Sequence, residues 1–325
     1  VKAIICEQWG PPSSLRWAEI PHRPLEAGQA RIRVRAAGVN FADTLMVGGT
    51  YQVKPAFPFS PGLESAGEVT EVAPGATNVA PGDRVLAVSR FGGGYTEELV
   101  VDARAVVPIP DTMDFVTAAA FPVAYGTSHF ALTHRGALKA GEWLVVTGAA
   151  GGVGLTAVEI GKQLGARVIA IAGGPEKCAV ARDYGADATI DHRSEAVGER
   201  IKALTGGAGA DVVYDPVGGD LFDECLRAVG WEARMLVIGF AAGRIQSVPA
   251  NRILVKNISV TGVVWGAQAA RDPVLVSGLL RELLGWYAEG KLRPLVAATF
   301  PIAEAASAME ALLSRQYPGK IVLVA

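Results

Sequence analysis

Leu144-Val-Val-Thr147, Gly148-Ala-Ala-Gly151-Gly152-Val-Gly154 and Leu155-Thr-Ala-Val-Glu-Ile-Gly-Lys-Gln-Leu164 form the stretch whose reading decides the fold. It runs as an apolar strand, a glycine turn and a helix, the helix carrying apolar residues at 155, 158, 160 and 164. A dinucleotide pyrophosphate needs free backbone N–H groups at a helix N-terminus and no Cβ in its path. Gly151 and Gly152 give that close approach, with Ala150 and Val153 beside them, and Gly154 lets the helix lie against the strand. The usual G-x-G-x-x-G register has Ala149 at its first glycine here, a departure that Gly148 is placed to relieve. Alone, a glycine-rich stretch is as readily a mere turn; its context makes it a nucleotide site.

That context is an alternating series. Apolar runs at Trp143–Thr147, Arg167–Ile171, Ala188–Asp191, Asp211–Tyr214, Arg234–Ile238 and Ser259–Gly262 are separated by helix-length segments, which predicts an α/β, doubly wound parallel sheet of Rossmann type over residues 123–264. The preceding text, from Val1 to about Pro122, consists of short β-like runs. In Ala30–Ala36, Ile32 and Val34 alternate with Arg31, Arg33 and Arg35, the pattern of a half-buried strand whose polar face carries the arginines. Gly67–Val72 and Asp83–Val88 repeat the pattern, with turns at Pro74-Gly75 and Pro81-Gly82, so a small, mostly antiparallel β domain or barrel is expected. After Gly266 a helical stretch, Pro273–Gly290, leads to a last strand, Lys320–Val324. This tail is expected to return to the first domain, making it discontinuous, 1–122 with 265–325.

Composition narrows the function. The 325 residues are 50% hydrophobic and 19% charged, and Lys+Arg 30 against Asp+Glu 32 gives a formal charge of −2 with no basic run to follow phosphates, which argues against nucleic acid. Cys6, Cys178 and Cys225 are too far apart for a disulfide framework or a CxxC knuckle, so a reducing, cytoplasmic setting is expected. The apolar start, Val1 to Cys6, is too short for a signal peptide and is closed by Glu7; export is not expected. Trp143–Ile160 holds one charge, Glu159, but its glycines break the run, so it is not read as a membrane span.

An NAD site places an acid about 20 residues past the glycines to accept from the ribose 2′-hydroxyl. Here that place reads Ile171-Ala172-Gly173-Gly174, and no acid stands there. Lys177 follows, and His192-Arg193 comes just after the third strand, so cations are available for a 2′-phosphate and NADPH is favoured over NADH. The alternative is that Lys177, beside Glu176, and Arg193 are solvated surface charges.

Ala37-Gly-Val-Asn-Phe-Ala-Asp43, Pro61-Gly-Leu-Glu-Ser-Ala-Gly-Glu-Val69, Gly82-Asp-Arg-Val85, Gly93-Gly94-Tyr95, Ala149–Gly154 and Pro318-Gly-Lys-Ile-Val322 together give the chain its family likeness. Over essentially its whole length it resembles the medium-chain dehydrogenase/reductase superfamily, and within it the zinc-independent, zeta-crystallin-like quinone oxidoreductase branch. That resemblance implies a GroES-like first domain, NADPH as cofactor, hydride transfer from nicotinamide C4 to quinones or α,β-unsaturated carbonyls, and a homodimer joined through the strand around Ser259–Val263, whose edge would otherwise stay open. In the alcohol dehydrogenase branch a zinc-binding Cys stands where this chain has Asn40, and Gly-His-Glu where it has Gly62-Leu63-Glu64. With both ligands replaced, and His22, His129, His134 and His192 showing no ligand pairing, no metal is expected. Without a Lewis acid, an already electrophilic acceptor is the feasible substrate.

The resemblance also distributes roles. Asn40 is matched to a group that bonds the nicotinamide ribose or the acceptor carbonyl, against the alternative of a turn-stabilising Asn. Tyr51 is matched to the proton donor of related enoyl-thioester reductases, and is equally readable as an aromatic cleft wall. Glu64 is expected in a structural salt bridge. Thr127, Phe240 and Val264 are matched to cofactor contacts, and Lys320 to a lysine near the cofactor, with a surface role equally open. Three functions compete: a reductase of quinones or enones; an enoyl-thioester reductase acting on an acyl-CoA or acyl-carrier substrate; and a non-catalytic NADPH-binding scaffold. A long acyl-CoA wants a basic entrance, and Lys54 is the only cation from Thr44 to Pro61, which favours small acceptors.

Overall fold

The computed structural model describes all 325 residues, Val1–Ala325. The chain divides into two compact units, one made of Val1–Gly126 with Trp265–Ala325 and the other of Thr127–Val264.

The first segment opens with an antiparallel pair, β1 (Lys2–Ile5) and β2 (Arg16–Glu19), and continues through β3 (Gln29–Val39), α1 (Phe41–Val47), β4 (Glu64–Val72), β5 (Arg84–Val88), β6 (Glu98–Asp102) and β7 (Val106–Pro108). Two helices follow, α2 (Phe115–Ala119) and α3 (Pro122–Phe130), the second containing the division between the units. The start of α1 is fixed locally. Asp43, three residues into the turn, accepts the Asn40 backbone N–H at 2.9 Å, which satisfies a donor the helix leaves open.

The second unit alternates strand and helix: β8 (Trp143–Thr147), α4 (Gly152–Gln163), β9 (Arg167–Ala172), α5 (Pro175–Asp183), β10 (Ala188–Asp191), α6 (Val197–Leu204), β11 (Ala210–Asp215), α7 (Gly219–Arg227), β12 (Val229–Val237), α8 (Ala250–Lys256) and β13 (Ser259–Gly262). All strand pairs are parallel, in the order β10-β9-β8-β11-β12-β13, the doubly wound arrangement that the sequence predicts. β12 begins five residues before the apolar run at Arg234. The register with β11 shifts between Ala210 and Val212, and Trp231 and Glu232 are exposed there, so an irregular entry hides the strand's start from any alternation pattern. Val145, Ile169, Ile190, Val213 and Met235 are fully buried and join the strands to Phe222 and Ile201 on the helices.

The tail then supplies α9 (Trp265–Arg271), α10 (Pro273–Ala288), β14 (Val296–Pro301), α11 (Ala305–Leu313) and β15 (Lys320–Val324) to the first unit. Seven strands form its main sheet, ordered β14-β15-β3-β4-β5-β7, with β6 also pairing with β3. β3 is the spine: β4 runs along one edge, while β6 pairs with Gln29–Arg33 and β15 with Ala36–Val39 along the other. The returning strand thus completes a sheet begun some 280 residues earlier in the chain. The expected barrel is corrected to an open sheet, because β14 and β7 end the path without pairing to each other, and β7 stops after three residues at Pro108, which has no N–H to extend a ladder. A second correction concerns β3: Arg33 and Arg35 are exposed as the alternation predicts, but Arg31 is buried, held by Glu71, Glu98 and the Arg23 carbonyl. No helix of either unit is long and apolar enough to cross a membrane.

Candidate active site

Asn40 ends β3 and begins α1, Glu64 opens β4, and Lys320 opens β15; the sheet brings the three together. Lys320 Nζ donates to Glu64 Oε1 at 2.8 Å, to Asn40 Oδ1 at 2.6 Å and to the Val39 carbonyl at 3.1 Å, which uses all three ammonium protons. Asn40 Nδ2 donates to Glu64 Oε1 at 2.8 Å, and the Val123 backbone N–H donates to Glu64 Oε2 at 2.7 Å. The Glu64 side chain is 0% exposed and that of Lys320 8%, so the pair is a buried ion pair with every charge answered. Glu64 is in the salt bridge expected of it. Lys320 is no surface lysine, which corrects the alternative left open for it.

Asp43 forms a second, adjoining cluster that the sequence reading quotes but assigns no role. Its Oδ1 accepts the Gly62 and Leu63 N–H groups at 3.2 and 3.1 Å, and its Oδ2 accepts the Tyr95 hydroxyl at 3.2 Å as well as the Asn40 N–H. Burial pushes the Asp43 carboxyl up to about 6, against the pull of the Asn40 N–H and the Lys320 charge. The usable signal was an acid three residues past Asn40, the reciprocal position of a helix capping box.

These groups do not make a zinc site. Leu63 is apolar, Asn40 is tied to Lys320 and Glu64, and no three His, Cys, Asp or Glu side chains in the chain converge as metal ligands. Tyr51 lies half-buried against the cluster formed by Phe59, Leu63 and Met46. Burial pushes its phenol up, Asp43 adds to this, and the Arg90 charge opposes it, so the hydroxyl keeps its proton at neutral pH.

In the second unit, Gly148 takes φ +58°, the left-handed turn that relieves Ala149, and Gly151 precedes the first turn of α4. A methyl at Gly154 would stand 2.2 Å from the Gly148 carbonyl oxygen, so the helix can approach the turn only with glycine there. Ala150 is buried, Gly151 exposed, and Gly152 and Val153 half-buried. At the carboxyl end of β9, a methyl on Gly173 would meet His192 Nε2 at 2.9 Å and Arg193 Nε at 3.0 Å, so these three residues share one corner. Asp191 is also there, but its carboxylate accepts the Gly174 and Arg193 N–H groups at 2.8 and 3.0 Å, which holds it below the usual carboxylate range. Lys177 sits half-buried on α5, Phe240 half-buried beyond β12, Val264 exposed beyond β13, and Thr127 buried on α3. Asp215, at the end of β11, is buried and accepts from Thr147 Oγ1 and the Val217 and Gly218 N–H groups, closing the loop there.

The ion pair yields a prediction of stability. Lys320→Met strands a buried carboxylate and costs about 3–5 kcal/mol, whereas adding Glu64→Gln to it recovers most of that loss. Denaturant midpoints of the two single variants and the double variant measure the coupling, and additive losses would contradict it.

Comparison with known proteins places the chain. Residues 26–111 match the alcohol dehydrogenase GroES-like domain, and residues 152–277 match the zinc-binding dehydrogenase model. The chain is 39% identical over 324 residues to a quinone oxidoreductase-like protein 2 homolog of Nematostella vectensis, covering 99% of this chain and 88% of that protein. It is 35% identical to a quinone oxidoreductase of Pseudomonas aeruginosa, covering 99% of each. The solved structure of Escherichia coli quinone oxidoreductase complexed with NADPH is similar over 100% of both chains, at 29% identity and a TM-score of 0.93. With matches of this length and identity, the chain belongs to the medium-chain dehydrogenase/reductase superfamily, among its quinone oxidoreductase-like oxidoreductases.

Proposed function

We propose that this protein is an NADPH-dependent reductase of electrophilic carbonyl compounds, namely quinones or α,β-unsaturated ketones and aldehydes. The observation that carries the reading is the corner at Gly173, where Arg193 and His192 stand at the place an NAD site gives to an acid, and where Asp191 Oδ1 already accepts the Gly174 and Arg193 N–H groups. The NADPH complexes among the similar structures support the same cofactor.

The residues divide the work. The turn at Ala150, Gly151, Gly152 and Val153 takes the pyrophosphate at the start of α4, where the first-turn N–H groups of Gly152 and Val153 have no partner within the helix and the Gly151 N–H is already given to the Gly148 carbonyl. Arg193, Lys177 and His192 take the 2′-phosphate, Arg193 by its planar fork. Thr127, Phe240 and Val264 are assigned to the nicotinamide end, and Asn40 to the nicotinamide ribose or the acceptor carbonyl. Asn40 Nδ2 keeps one N–H after donating to Glu64, and Lys320 fixes the amide's orientation, so Lys320 acts through Asn40. Bound NADPH supplies a hydride from its nicotinamide C4. The acceptor would take that hydride with one proton, which we assign to Tyr51, whose hydroxyl bonds to no other residue and which would regain its proton from solvent. We also assign a homodimer. β13 ends the parallel sheet with its outer edge unpaired, and Leu254, Val255 and Trp231 are exposed on the same unit.

Three outcomes follow. Arg193→Ala weakens NADPH binding about 10- to 100-fold, bringing it toward the affinity for NADH, because a charge-assisted bond of about 1.5–3 kcal/mol is lost; equal affinities for both cofactors in the unsubstituted protein, by fluorescence titration, would sink the preference. Tyr51→Phe lowers turnover on an enone more than on a quinone, and unchanged rates on both retire the phenol as an acid. Analytical ultracentrifugation gives twice the 33.8 kDa chain mass, and a monomer at micromolar concentration rejects the dimer. Tight NADPH binding with no turnover on any acceptor would point to the scaffold reading instead.

A further inference from the structure

The first unit carries a half-open cavity of about 700 Å³ whose walls include Phe59, Val88, Phe91, Leu99 and Val101, a largely apolar lining. Five arginines also line it, Arg23, Arg31, Arg90, Arg104 and Arg271, against two carboxylates, Glu98 and Asp102. Both carboxylates are already answered. Glu98 faces Arg31 and His22, each at 3.3 Å, and Asp102 faces Arg104 at 2.6 Å. Arg23, Arg90 and Arg271 remain without a carboxylate partner. Arg90 holds its guanidinium over the Phe91 ring, 5.2 Å from the centroid, which leaves its N–H edge free to bond outward.

Uncompensated guanidinium groups around an apolar concavity attract one chemical class. The field of several like charges is focused in such a space, and the planar fork suits phosphate, sulfonate or carboxylate oxygens, while the walls accept a hydrocarbon body. The cavity also adjoins the candidate chemistry. Phe59 both lines it and packs in the cluster that holds Tyr51, and the Arg90 charge is felt at the Tyr51 hydroxyl.

We infer that the acceptor is an amphipathic anion, an electrophilic carbonyl compound carrying a phosphate, sulfonate or carboxylate handle, and that Arg90, Arg271 and Arg23 hold that handle in this cavity. The inference rests on the reductase reading and names its substrate class. It also reverses the preference for small acceptors drawn from Lys54 being the only cation between Thr44 and Pro61. The basic residues come from other parts of the chain, Arg90 after β5 and Arg271 at the end of α9, and only the fold assembles them.

Matched acceptor pairs test it. Crotonyl-CoA is compared with the neutral crotonyl thioester of N-acetylcysteamine, and 1,4-naphthoquinone-2-sulfonate with 1,4-naphthoquinone, each with NADPH, in the unsubstituted protein and in Arg90→Gln/Arg271→Gln. In at least one pair the anionic member is favoured in kcat/KM about tenfold or more, through KM, and the advantage shrinks as NaCl is raised. The double substitution removes that advantage, and Arg90→Lys returns part of it. Which pair responds separates a phosphate handle from a sulfonate one. Equal kcat/KM within both pairs, or an advantage that survives the double substitution, overturns the inference while the reductase reading stands. If no acceptor is turned over, the reductase reading fails by itself, and calorimetric titration of butyryl-CoA into NADP+-saturated protein decides the cavity: binding abolished by Arg23→Gln/Arg90→Gln/Arg271→Gln upholds an anion site there, and no binding overturns it.

Discussion

A carboxylate with no exposure to water needs a countercharge, and Glu64 takes its own from Lys320, 256 residues further along the chain. Removing both ions from water costs several kcal/mol each, and attraction repays this only when the remaining lone pairs and protons are also matched. Here they are. Lys320 also bonds Asn40 and the Val39 carbonyl, and Glu64 also takes the Asn40 amide and the Val123 N–H. One ion pair therefore ties the first residue of β4, the first of β15, the start of α1 and the start of α3 into a single polar knot. The return of the chain and the pair go together, since the β15–β3 ladder is what brings Lys320 within reach of its partner.

Asn40 and Leu63, at the knot and beside it, are the residues that the family resemblance aligns with the metal ligands of the alcohol dehydrogenase branch. An ammonium group fixed by three acceptors cannot bind a substrate oxygen as an open metal position does, which is why the proposed acceptors are electrophilic on their own. What it gives is orientation. The Asn40 amide is set by Lys320 on one side and Glu64 on the other, and its backbone is set by Asp43, so the residue proposed to face the reaction has little freedom to move. Asp43 in turn orders Gly62, Leu63 and the Tyr95 hydroxyl, which links the loop before β4 to the segment before β6.

Legibility in the sequence tracked how local each signal was. The strand, turn and helix around Gly151 are encoded within about 20 residues, and the alternating β/α text around them repeats one pattern, so the second unit's parallel, doubly wound sheet was legible in the sequence. The first unit was legible as β structure but not as an open sheet, because closure depends on whether β14 and β7 meet, and no local pattern encodes that. Arg31 shows the limit at one residue: alternation marks it as solvent-facing, yet Glu71 and Glu98, 40 and 67 residues away, allow it to be buried. The burial of Lys320 and the gathering of the cavity's arginines were illegible for the same reason. Their partners, or the shared space they face, lie far off in sequence.

The proposal to test first is reduction without a metal, at a site where the buried Lys320–Glu64 ion pair orients Asn40. Anaerobic NADPH oxidation by the purified protein, followed with a quinone and a 2-alkenal before and after exhaustive treatment with 1,10-phenanthroline, tests this directly. The account predicts turnover on at least one acceptor that survives the chelator and gains nothing from added zinc. Turnover that the chelator abolishes and zinc restores would contradict it.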